Sequence, residues 1–407
     1  MRNTAKSFRL HIGIFGRRNS GKSSLLNAIT RQSVSIVSDV AGTTTDPVEK
    51  PMELLPIGPV LFIDTAGIDD VGDLGKMRIE KTKKIFDRTD LALIVAAEGK
   101  WTDFEMEIID ELNNRQVPTI IVFNKIDIEP PSSRLMDQLS SKGLSIVRTN
   151  LLTGDGLEDL RGVLIEKTPD EFINDPAIVG DLVGPGKMAV LVVPIDKEAP
   201  RGRLIMPQVQ TIRDLLDSDS YCVVVKEREL ADALNQLKNP PALVVTDSQA
   251  FLKVAADTPD SVPMTSFSIL FARFKGDLNE FVNGAMTIDK LKSSDKVLIA
   301  ESCSHHPITE DIGRVKIPRF LRQYTGAKLD FDVVQGHDFP EDLAAYKLVI
   351  HCGACMPNRR TMLSRIMHCR QASVPITNYG MTIAYTQGIF ERALRPFAGS
   401  LDYFAEK

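Results

Sequence analysis

The chain has 407 residues, which is too many for a single hydrophobic core, so about two to four domains are expected. Its composition, 43% hydrophobic and 25% charged, is that of a globular protein. The net charge is −5, whereas nucleic-acid-binding proteins usually carry a basic surface. No apolar run approaches the ~20 residues that span a bilayer. Five cysteines indicate a reducing compartment and not a disulfide framework. A soluble cytoplasmic protein without a nucleic-acid or membrane partner is therefore predicted.

The first motif follows a predicted strand, Leu10 to Phe15, and precedes a predicted helix, Ser23 to Thr30. Between them stands Gly-Arg-Arg-Asn-Ser-Gly-Lys-Ser, a G-x-x-x-x-G-K-S phosphate loop in its strand–loop–helix context. Its backbone N–H groups and the helix dipole suit a polyphosphate. Lys22 is predicted to reach the β and γ phosphates, and the Ser23 hydroxyl to bind magnesium. The predicted nucleotide-binding residues of this loop are Gly16, Asn19, Ser20, Gly21, Lys22, Ser23 and Ser24.

Two further strand ends supply the rest of a nucleotide site. A strand over Val60 to Ile63 ends in Asp-Thr-Ala-Gly, where Asp64 can hold magnesium through water and the Gly67 N–H can sense the γ-phosphate. A strand over Thr119 to Phe123 ends in Asn-Lys-Ile-Asp. A carboxylate there can accept hydrogen bonds from the ring N–H and the amino group of guanine, a donor pair that adenine lacks. The predicted ligand is GTP. The predicted guanine-side residues are Asn124, Lys125 and Asp127.

These motifs, in this order, resemble the GTPases of the translation-factor class, and within it the bacterial group of MnmE and Era-like proteins. The loop Gly42-Thr-Thr-Thr-Asp46 matches the switch pattern of that group, which implies that Thr44 contacts magnesium. The resemblance also implies that Asn19 helps hold a potassium ion beside the phosphates, where it would neutralise transition-state charge. Ile68 stands in place of a water-orienting glutamine. Slow hydrolysis, raised by potassium, is expected.

The last guanine loop departs from this group. The chain has Asn150-Leu151 where the group has Ser-Ala, and the Leu151 backbone N–H is expected to serve the base. A helix over Leu157 to Glu166 is predicted to close the domain, and the Pro-, Asp- and Gly-rich stretch Thr168 to Gly186 to form a linker. The predicted catalytic residues are Lys22, Ser23, Thr44, Asp64 and Gly67.

The middle of the chain alternates apolar runs with amphipathic ones, which predicts a small parallel α/β sheet. It contains no ligand cluster, and Cys222 within a strand is predicted to be a buried structural thiol. Such a unit favours a spacer or a dimerisation module. The predicted strands and helices are Met188 to Val193, Gln208 to Leu216, Tyr221 to Val225, Leu230 to Leu237, Ala242 to Thr246 and Ser248 to Ala255.

The C-terminal third carries two clumps of metal-type ligands. Cys303-Ser-His305 follows the predicted strand Lys296 to Ala300, and His351-Cys-Gly-Ala-Cys355 follows Lys347 to Ile350. Carboxyl ends of strands in one open α/β sheet can bring such clumps together. A closed zinc site, a 4Fe–4S cluster on three cysteines and a redox pair in the second clump all match the residue types. Spacing alone leaves these three open, with zinc ahead.

Taken together, the GTPase motifs, the α/β middle and the Cys-x-His…His-Cys-x-x-Cys signature resemble the HydF family, GTPase scaffolds of FeFe-hydrogenase maturation, over the whole chain. The resemblance implies a 4Fe–4S cluster on Cys303, Cys352 and Cys355, with His305 and His351 as candidate further ligands. It also implies a homodimer through the middle domain. The implied partners are the apo FeFe-hydrogenase and the two radical-SAM maturases that help build the di-iron precursor.

The predicted fold class is α/β, with a P-loop GTPase domain (1–170), a small parallel α/β dimerisation domain (176–262) and an α/β cluster-binding domain (263–407). The predicted function is a GTP-hydrolysing scaffold that assembles the di-iron precursor and delivers it to apo FeFe-hydrogenase. The alternative is an RNA- or ribosome-directed GTPase with a structural zinc domain. It requires a basic face with interleaved aromatic residues, which the acidic balance and the 6% aromatic content do not favour.

Overall fold

The computed structural model describes residues 5–32, 47–65, 82–97, 99–173, 177–194, 204–302, 311–336, 338–340 and 342–397. The chain divides into two compact units, 1–175 and 176–407. Within the described residues, no helix is long and apolar enough to cross a membrane. Four predicted site residues lie outside the described residues: Thr44, Gly67, Cys303 and His305.

The first unit is built on a six-stranded sheet in the order β2-β3-β1-β4-β5-β6, in which only β2 runs antiparallel to its neighbour. Its strands are β1 (Leu10–Phe15), β2 (Val48–Leu54), β3 (Gly58–Asp64), β4 (Leu91–Ala97), β5 (Thr119–Asn124) and β6 (Ser145–Thr149). The helices with full bounds are α1 (Lys22–Gln32), α2 (Asp103–Asn114), α3 (Ser133–Ser141), α4 (Leu157–Lys167) and α5 (Asp170–Ile173).

Apolar side chains cover both faces of this sheet. Ile12 of β1 packs in one core cluster with Leu25 of α1. Phe15 of β1 packs in a second cluster with Ile109 of α2. Because parallel strands are buried on both faces, β5 reads as an almost continuous apolar run in the sequence and β1 as one interrupted by His11. The predicted bounds of both strands agree with the structure to within one residue.

The second unit contains two four-stranded parallel sheets. The first has the order β10-β9-β7-β8, so β8 lies at an edge. Its strands are β7 (Met188–Val192), β8 (Tyr221–Val225), β9 (Leu243–Thr246) and β10 (Met264–Ser266). The helices of this part are α6 (Gly180–Val183), α7 (Met206–Asp217), α8 (Leu230–Gln236), α9 (Phe251–Asp257) and α10 (Phe267–Lys275).

In two places the structure differs from a boundary predicted from the sequence: the end of the middle domain and the extent of the linker before it. The middle sheet extends past the predicted end at Val262, because Met264 and Thr265 of β10 pair with β9 and are buried there. A three-residue strand is too short to show a periodicity that would assign it to the middle domain or to the C-terminal domain. The predicted linker is also packed from residue 177 on, since one Asp214 carboxylate oxygen accepts the N–H groups of three successive residues. Those residues are Ile178, Val179 and Gly180.

The last sheet has the order β12-β11-β13-β14, all parallel. Its strands are β11 (Lys296–Glu301), β12 (Asp330–Gln335), β13 (Leu348–His351) and β14 (Ile376–Asn378). The helices are α11 (Leu278–Met286), α12 (Ile317–Thr325), α13 (Arg359–Gln371), α14 (Tyr379–Thr386) and α15 (Phe390–Leu394). β11 and β13 are neighbours with Ala300 opposite His351, so the two predicted ligand clumps follow strands that end at one edge of this sheet. The predicted α/β fold class is confirmed.

Candidate nucleotide site and candidate metal loop

The phosphate loop joins β1 to α1, and two of its glycines have no room for a side chain. A Cβ on Gly16 would lie 2.3 Å from the Val95 carbonyl oxygen, and one on Gly21 would lie 2.2 Å from the Asn124 amide nitrogen. Both glycines have positive φ angles, +145° and +96°. Lys22 donates to the carbonyl oxygens of Gly16 at 2.9 Å and Arg17 at 2.6 Å. Its ammonium group therefore already lies over the loop that would cradle a phosphate.

Ser23 and Asp64, the two described residues expected to take part in magnesium binding, are in contact. The Ser23 hydroxyl donates to Asp64 Oδ2 at 2.6 Å. The other oxygen, Asp64 Oδ1, is buried and has no hydrogen-bond partner among the described residues. Burial raises the pKa of Asp64, while the Ser23 hydrogen bond and the Lys22 charge act in the opposite direction. A buried carboxylate oxygen beside a hydroxyl oxygen is a donor set that fits Mg²⁺.

The guanine side is tied to the phosphate loop by Asn124. Its Nδ2 donates to the Ser20 carbonyl oxygen at 3.1 Å, and its Oδ1 accepts from the Thr149 hydroxyl at 3.4 Å. Asn124 is buried, whereas Asp127 at the end of the motif is exposed and accessible to a base. In the loop after β6, the Leu152 N–H donates to Asn150 Oδ1 at 3.0 Å. The side chain of Asn150 therefore shapes this loop.

A cavity of about 360 Å³ lies beside the phosphate loop. Four cationic residues line it: Arg17, Arg18, Lys100 and Lys125. Its acidic lining residue, Glu105, is 1% exposed, pairs with Arg17 at 2.7 Å and accepts the N–H of Thr102 at 2.9 Å. That second bond is part of a capping box at the start of α2. The sequence analysis did not identify Arg17 as a residue that fixes the phosphate loop. The Thr-x-x-Glu pattern that starts at Thr102 could have indicated it, because the capping box positions Glu105, the partner of Arg17.

The second ligand clump begins where β13 ends. The Cys352 N–H donates to the Ala300 carbonyl oxygen at 3.0 Å, and the Cys352 sulfur accepts the Ser302 N–H at 3.2 Å. N–H donors to sulfur are typical of thiolates that hold iron–sulfur clusters. Cys352 and Cys355 are half-buried. In the described part of the chain, no three Cys, His, Asp or Glu side chains form a metal-type group, and Cys303 lies outside that part. The cysteine loop fits a thiolate-bound metal.

His351 is fully buried and both of its ring nitrogens are engaged. Nδ1 lies 2.8 Å from the Cys352 carbonyl oxygen, so it carries the proton and donates. Nε2 lies 2.5 Å from Arg365 Nη1 and 3.3 Å from the Ser302 hydroxyl, so it accepts. Burial, together with the Arg365 charge, lowers the pKa of His351 to about 3. In this arrangement neither ring nitrogen is available to a metal.

Family models match three consecutive parts of the chain. One described as a 50S ribosome-binding GTPase matches residues 11–125. One described as the Hydrogen maturase F dimerization domain matches 178–276, and one described as the Hydrogen maturase F tetramerization domain matches 279–396. The middle match ends beyond β10, in agreement with the strand pairing of the middle sheet.

Curated relatives match the N-terminal part. The tRNA modification GTPase MnmE of Chromobacterium violaceum is 36% identical over 158 residues, which is 39% of this chain and 34% of that protein. The MnmE of Alkaliphilus oremlandii is 35% identical over 155 residues, 38% of this chain and 33% of that protein. The chain thus spans about a third of the length of these relatives. Together with the family model, they confirm the predicted GTPase domain.

Among solved structures, Era in complex with MgGDPNP and a segment of 16S ribosomal RNA is 23% identical to this chain. The match covers 53% of this chain and 93% of that one, with a TM-score of 0.34.

Proposed function

Because the chain belongs to the hydrogen maturase F (HydF) family, we propose that it is a GTP-hydrolysing scaffold that assembles the di-iron precursor and delivers it to apo FeFe-hydrogenase. The observation that carries this proposal is the succession of a GTPase domain and two hydrogen-maturase domains on one chain. Its partners are the apo-hydrogenase and the two radical-SAM maturases. The cytoplasmic location stays a prediction from the cysteine content.

In this proposal the N-terminal domain binds GTP with magnesium on Ser23 and Asp64. The unpartnered buried oxygen of Asp64 supports that role. Thr44 and Gly67 complete the site from the switch loops, which γ-phosphate contacts can order and hydrolysis can release. GTP turnover then regulates the exchange of partners and does not drive bond chemistry at iron.

The C-terminal domain holds a 4Fe–4S cluster on Cys303, Cys352 and Cys355. Support comes from the Ser302 N–H directed at the Cys352 sulfur and from the shared edge at which β11 and β13 end. When bound, such a cluster offers an iron corner that no cysteine occupies, where a precursor can attach. The contacts of His351 favour a role in shaping the loop over a role as the ligand at that corner.

The middle domain forms the homodimer. Its edge strand β8 carries two exposed apolar residues, Tyr221 and Val224, and the neighbouring helix α7 exposes Val209 and Leu216. An apolar strand at the edge of a sheet is a template for pairing with a second chain. This surface supports dimerisation through β8.

Anaerobic metal analysis and EPR after dithionite reduction test the scaffold assignment. We expect close to four irons per chain and a paramagnetic reduced cluster in the wild type, and loss of both in Cys355→Ser. Cys222→Ser, a cysteine of β8 outside the ligand clumps, is the matched control and should keep both. One zinc per chain without a paramagnetic species would contradict the proposal and favour a structural zinc domain.

Potassium is tested by the rate of GTP hydrolysis. Asn19 has a φ of +62°, a conformation that glycine tolerates, so Asn19→Gly removes the amide without backbone strain. We expect faster hydrolysis in potassium than in sodium for the wild type, and equal rates for Asn19→Gly. Equal rates in both salts for the wild type would remove potassium from the proposal.

A further inference from the structure

A buried lysine lies directly under the cysteine loop. Lys275 is the last residue of α10 and is 1% exposed. Its ammonium nitrogen lies 2.9 Å from the Ala354 carbonyl oxygen, 2.9 Å from that of Pro357 and 3.3 Å from that of Cys355. Because an ammonium group has three donors and no acceptor, three carbonyl oxygens form a matched set for its charged form. A lysine is rarely buried without such compensation.

The three carbonyl groups belong to a part of the loop that includes a residue in an unfavourable backbone conformation. Ala354 has a φ of +54°, in the left-handed region that residues with a side chain rarely adopt. One hydrogen bond of Lys275 is to this residue, and the other two hold the carbonyl groups of Cys355 and Pro357, which follow it. The lysine therefore holds the backbone on both sides of Cys355.

The charge of Lys275 also acts on the two thiols. The Lys275 ammonium nitrogen is buried and lies 3.3 Å from the Cys355 carbonyl oxygen, on the same loop as the two sulfur atoms. The cation and the two sulfur groups therefore interact electrostatically through a buried medium, in which charges are screened less than in water.

We propose that Lys275 is a positioning residue for the metal loop, which fixes the backbone of residues 354–357 and places a buried positive charge beside the thiolates of the bound cluster. This inference rests on the proposed function for the identity of the metal group. The hold on the loop does not, since its hydrogen bonds exist without metal. Lys275 lies 28 residues before Cys303, outside the cysteine–histidine signature, and within the 178–276 range of the dimerization-domain match.

Two properties follow from this geometry. Without Lys275 the carbonyl oxygens of Ala354, Cys355 and Pro357 lose their ammonium donor. The loop then opens more often, so its amide protons exchange faster and fewer chains assemble a cluster. The lost positive charge also disfavours the more negative, reduced form of the cluster, so the reduction potential moves to more negative values. A residue that only filled space would affect the first property and not the second.

The test compares Lys275→Met with the wild type. Methionine keeps the length of the side chain and removes the charge and the donors. Lys253→Met is the matched control, because Lys253 is an exposed lysine of the same unit that pairs with Asp257 on its own helix. Hydrogen exchange is measured on the metal-free chains. Iron content and the midpoint potential, followed by EPR, are measured after anaerobic reconstitution.

We expect Lys275→Met to exchange the amides of residues 353–356 and 358 at least tenfold faster, to bind several-fold less iron, and to shift the potential of the remaining cluster downwards. Lys275→Arg should restore the potential more fully than the exchange protection, because its charge is kept while its geometry differs. Unchanged exchange in a folded Lys275→Met would overturn the positioning role, and an unchanged potential would overturn the charge role.

If Lys275→Met does not fold, Lys275→Gln replaces it, since glutamine keeps two donor hydrogens and lacks the charge; the same two outcomes then decide. A wild type that binds no iron–sulfur cluster would refute the proposed function. The exchange measurement on the metal-free chain would still decide whether Lys275 positions the loop.

Discussion

The carboxylate of Asp64 shows how a single residue can be prepared for a ligand. One of its oxygens accepts the Ser23 hydroxyl and the other is buried without a described partner, an arrangement that costs free energy until a cation arrives. We expect Asp64→Asn to weaken magnesium binding at least tenfold, because the neutral amide keeps the shape and removes the charge. The measurement is the magnesium dependence of GTP hydrolysis at saturating nucleotide.

Asp127→Asn is the matched control for that change. It alters a carboxylate at the guanine end of the site, so the affinity for GTP should fall while the magnesium requirement with xanthosine triphosphate stays normal. An Asp64→Asn protein with the magnesium dependence of the wild type would contradict the assignment of Asp64.

His11 gives the GTPase domain a defined response to acid. The side chain is buried in β1 with its ring nitrogens near the carbonyl oxygens of Lys6 and Arg88, and burial lowers its pKa to about 4. The unfolded chain binds a proton near pH 6.5 and the folded chain does not, so this contribution to stability is complete above that pH. It is lost as pH falls towards 4, by about 1.4 kcal/mol per pH unit.

We therefore expect urea unfolding of the GTPase domain to lose about 2 kcal/mol more between pH 7 and pH 5 in the wild type than in His11→Gln. The fluorescence of Trp101 reports this unfolding, because it is the one tryptophan of the chain and it packs against Phe123 in the first unit. Equal acid responses of the two proteins would show that His11 is not the group responsible.

Some site residues are predictable from sequence because their ligand dictates the local motif. Lys22, Ser23 and Asp64 belong to this class, since a phosphate and a magnesium ion require such residues at fixed places, here the start of α1 and the end of β3. His351 belongs to the other class. Its chemistry is decided by Arg365, which lies on α13 and meets it only in the folded chain. The sequence pattern predicted His351 as a candidate metal ligand. In the folded chain both of its ring nitrogens are engaged in hydrogen bonds, one of them with Arg365.

At the scale of elements, the turn from β1 into α1 is limited by its backbone. We expect Gly21→Ala to abolish measurable GTP binding, because its φ of +96° and the 2.2 Å approach to Asn124 leave no place for a methyl group. Gly162→Ala is the control: Gly162 lies within α4 with nothing within 4 Å of the added Cβ, so this change should stabilise the domain by up to about 1 kcal/mol. Nucleotide titration and thermal unfolding measure the two effects.

A Gly21→Ala protein that binds GTP normally would show that the loop can move away from Asn124. A destabilising effect of Gly162→Ala would contradict the simple account of helix propensity for α4.

The elements that sequence reasoning located well are those with their own periodicity. The bounds of β8 are those predicted, and α7 differs from its prediction by two residues at its start and one at its end. The sequence did not assign β10 to the middle sheet, because its three residues are too few to show a periodicity. It belongs to that sheet because it pairs with β9. Short strands are assigned by their neighbours, which a single sequence does not display.

At the scale of the molecule, oligomerisation should depend on the β8 edge. We expect Val224→Lys to weaken the dimer at least tenfold, because a charge would replace an exposed apolar residue within the proposed interface. Leu252→Lys, which changes an exposed leucine on α9 in the same sheet domain, should leave the dimer intact. Sedimentation velocity over a range of concentrations gives both dissociation constants. A Val224→Lys protein that dimerises like the wild type would exclude β8 as the interface.

The helix α10 has a consequence of its own. Its nine residues, about 13 Å of helix, begin directly after β10 of the middle sheet and end at the lysine under the cysteine loop. A single rigid rod therefore connects the proposed pairing domain to the proposed metal site. If dimerisation changes the metal affinity by some factor, metal binding must change the dimer affinity by the same factor, because binding free energies are reciprocal. An oligomer equilibrium measured with and without iron would report the loading state of a loop that takes no part in the interface.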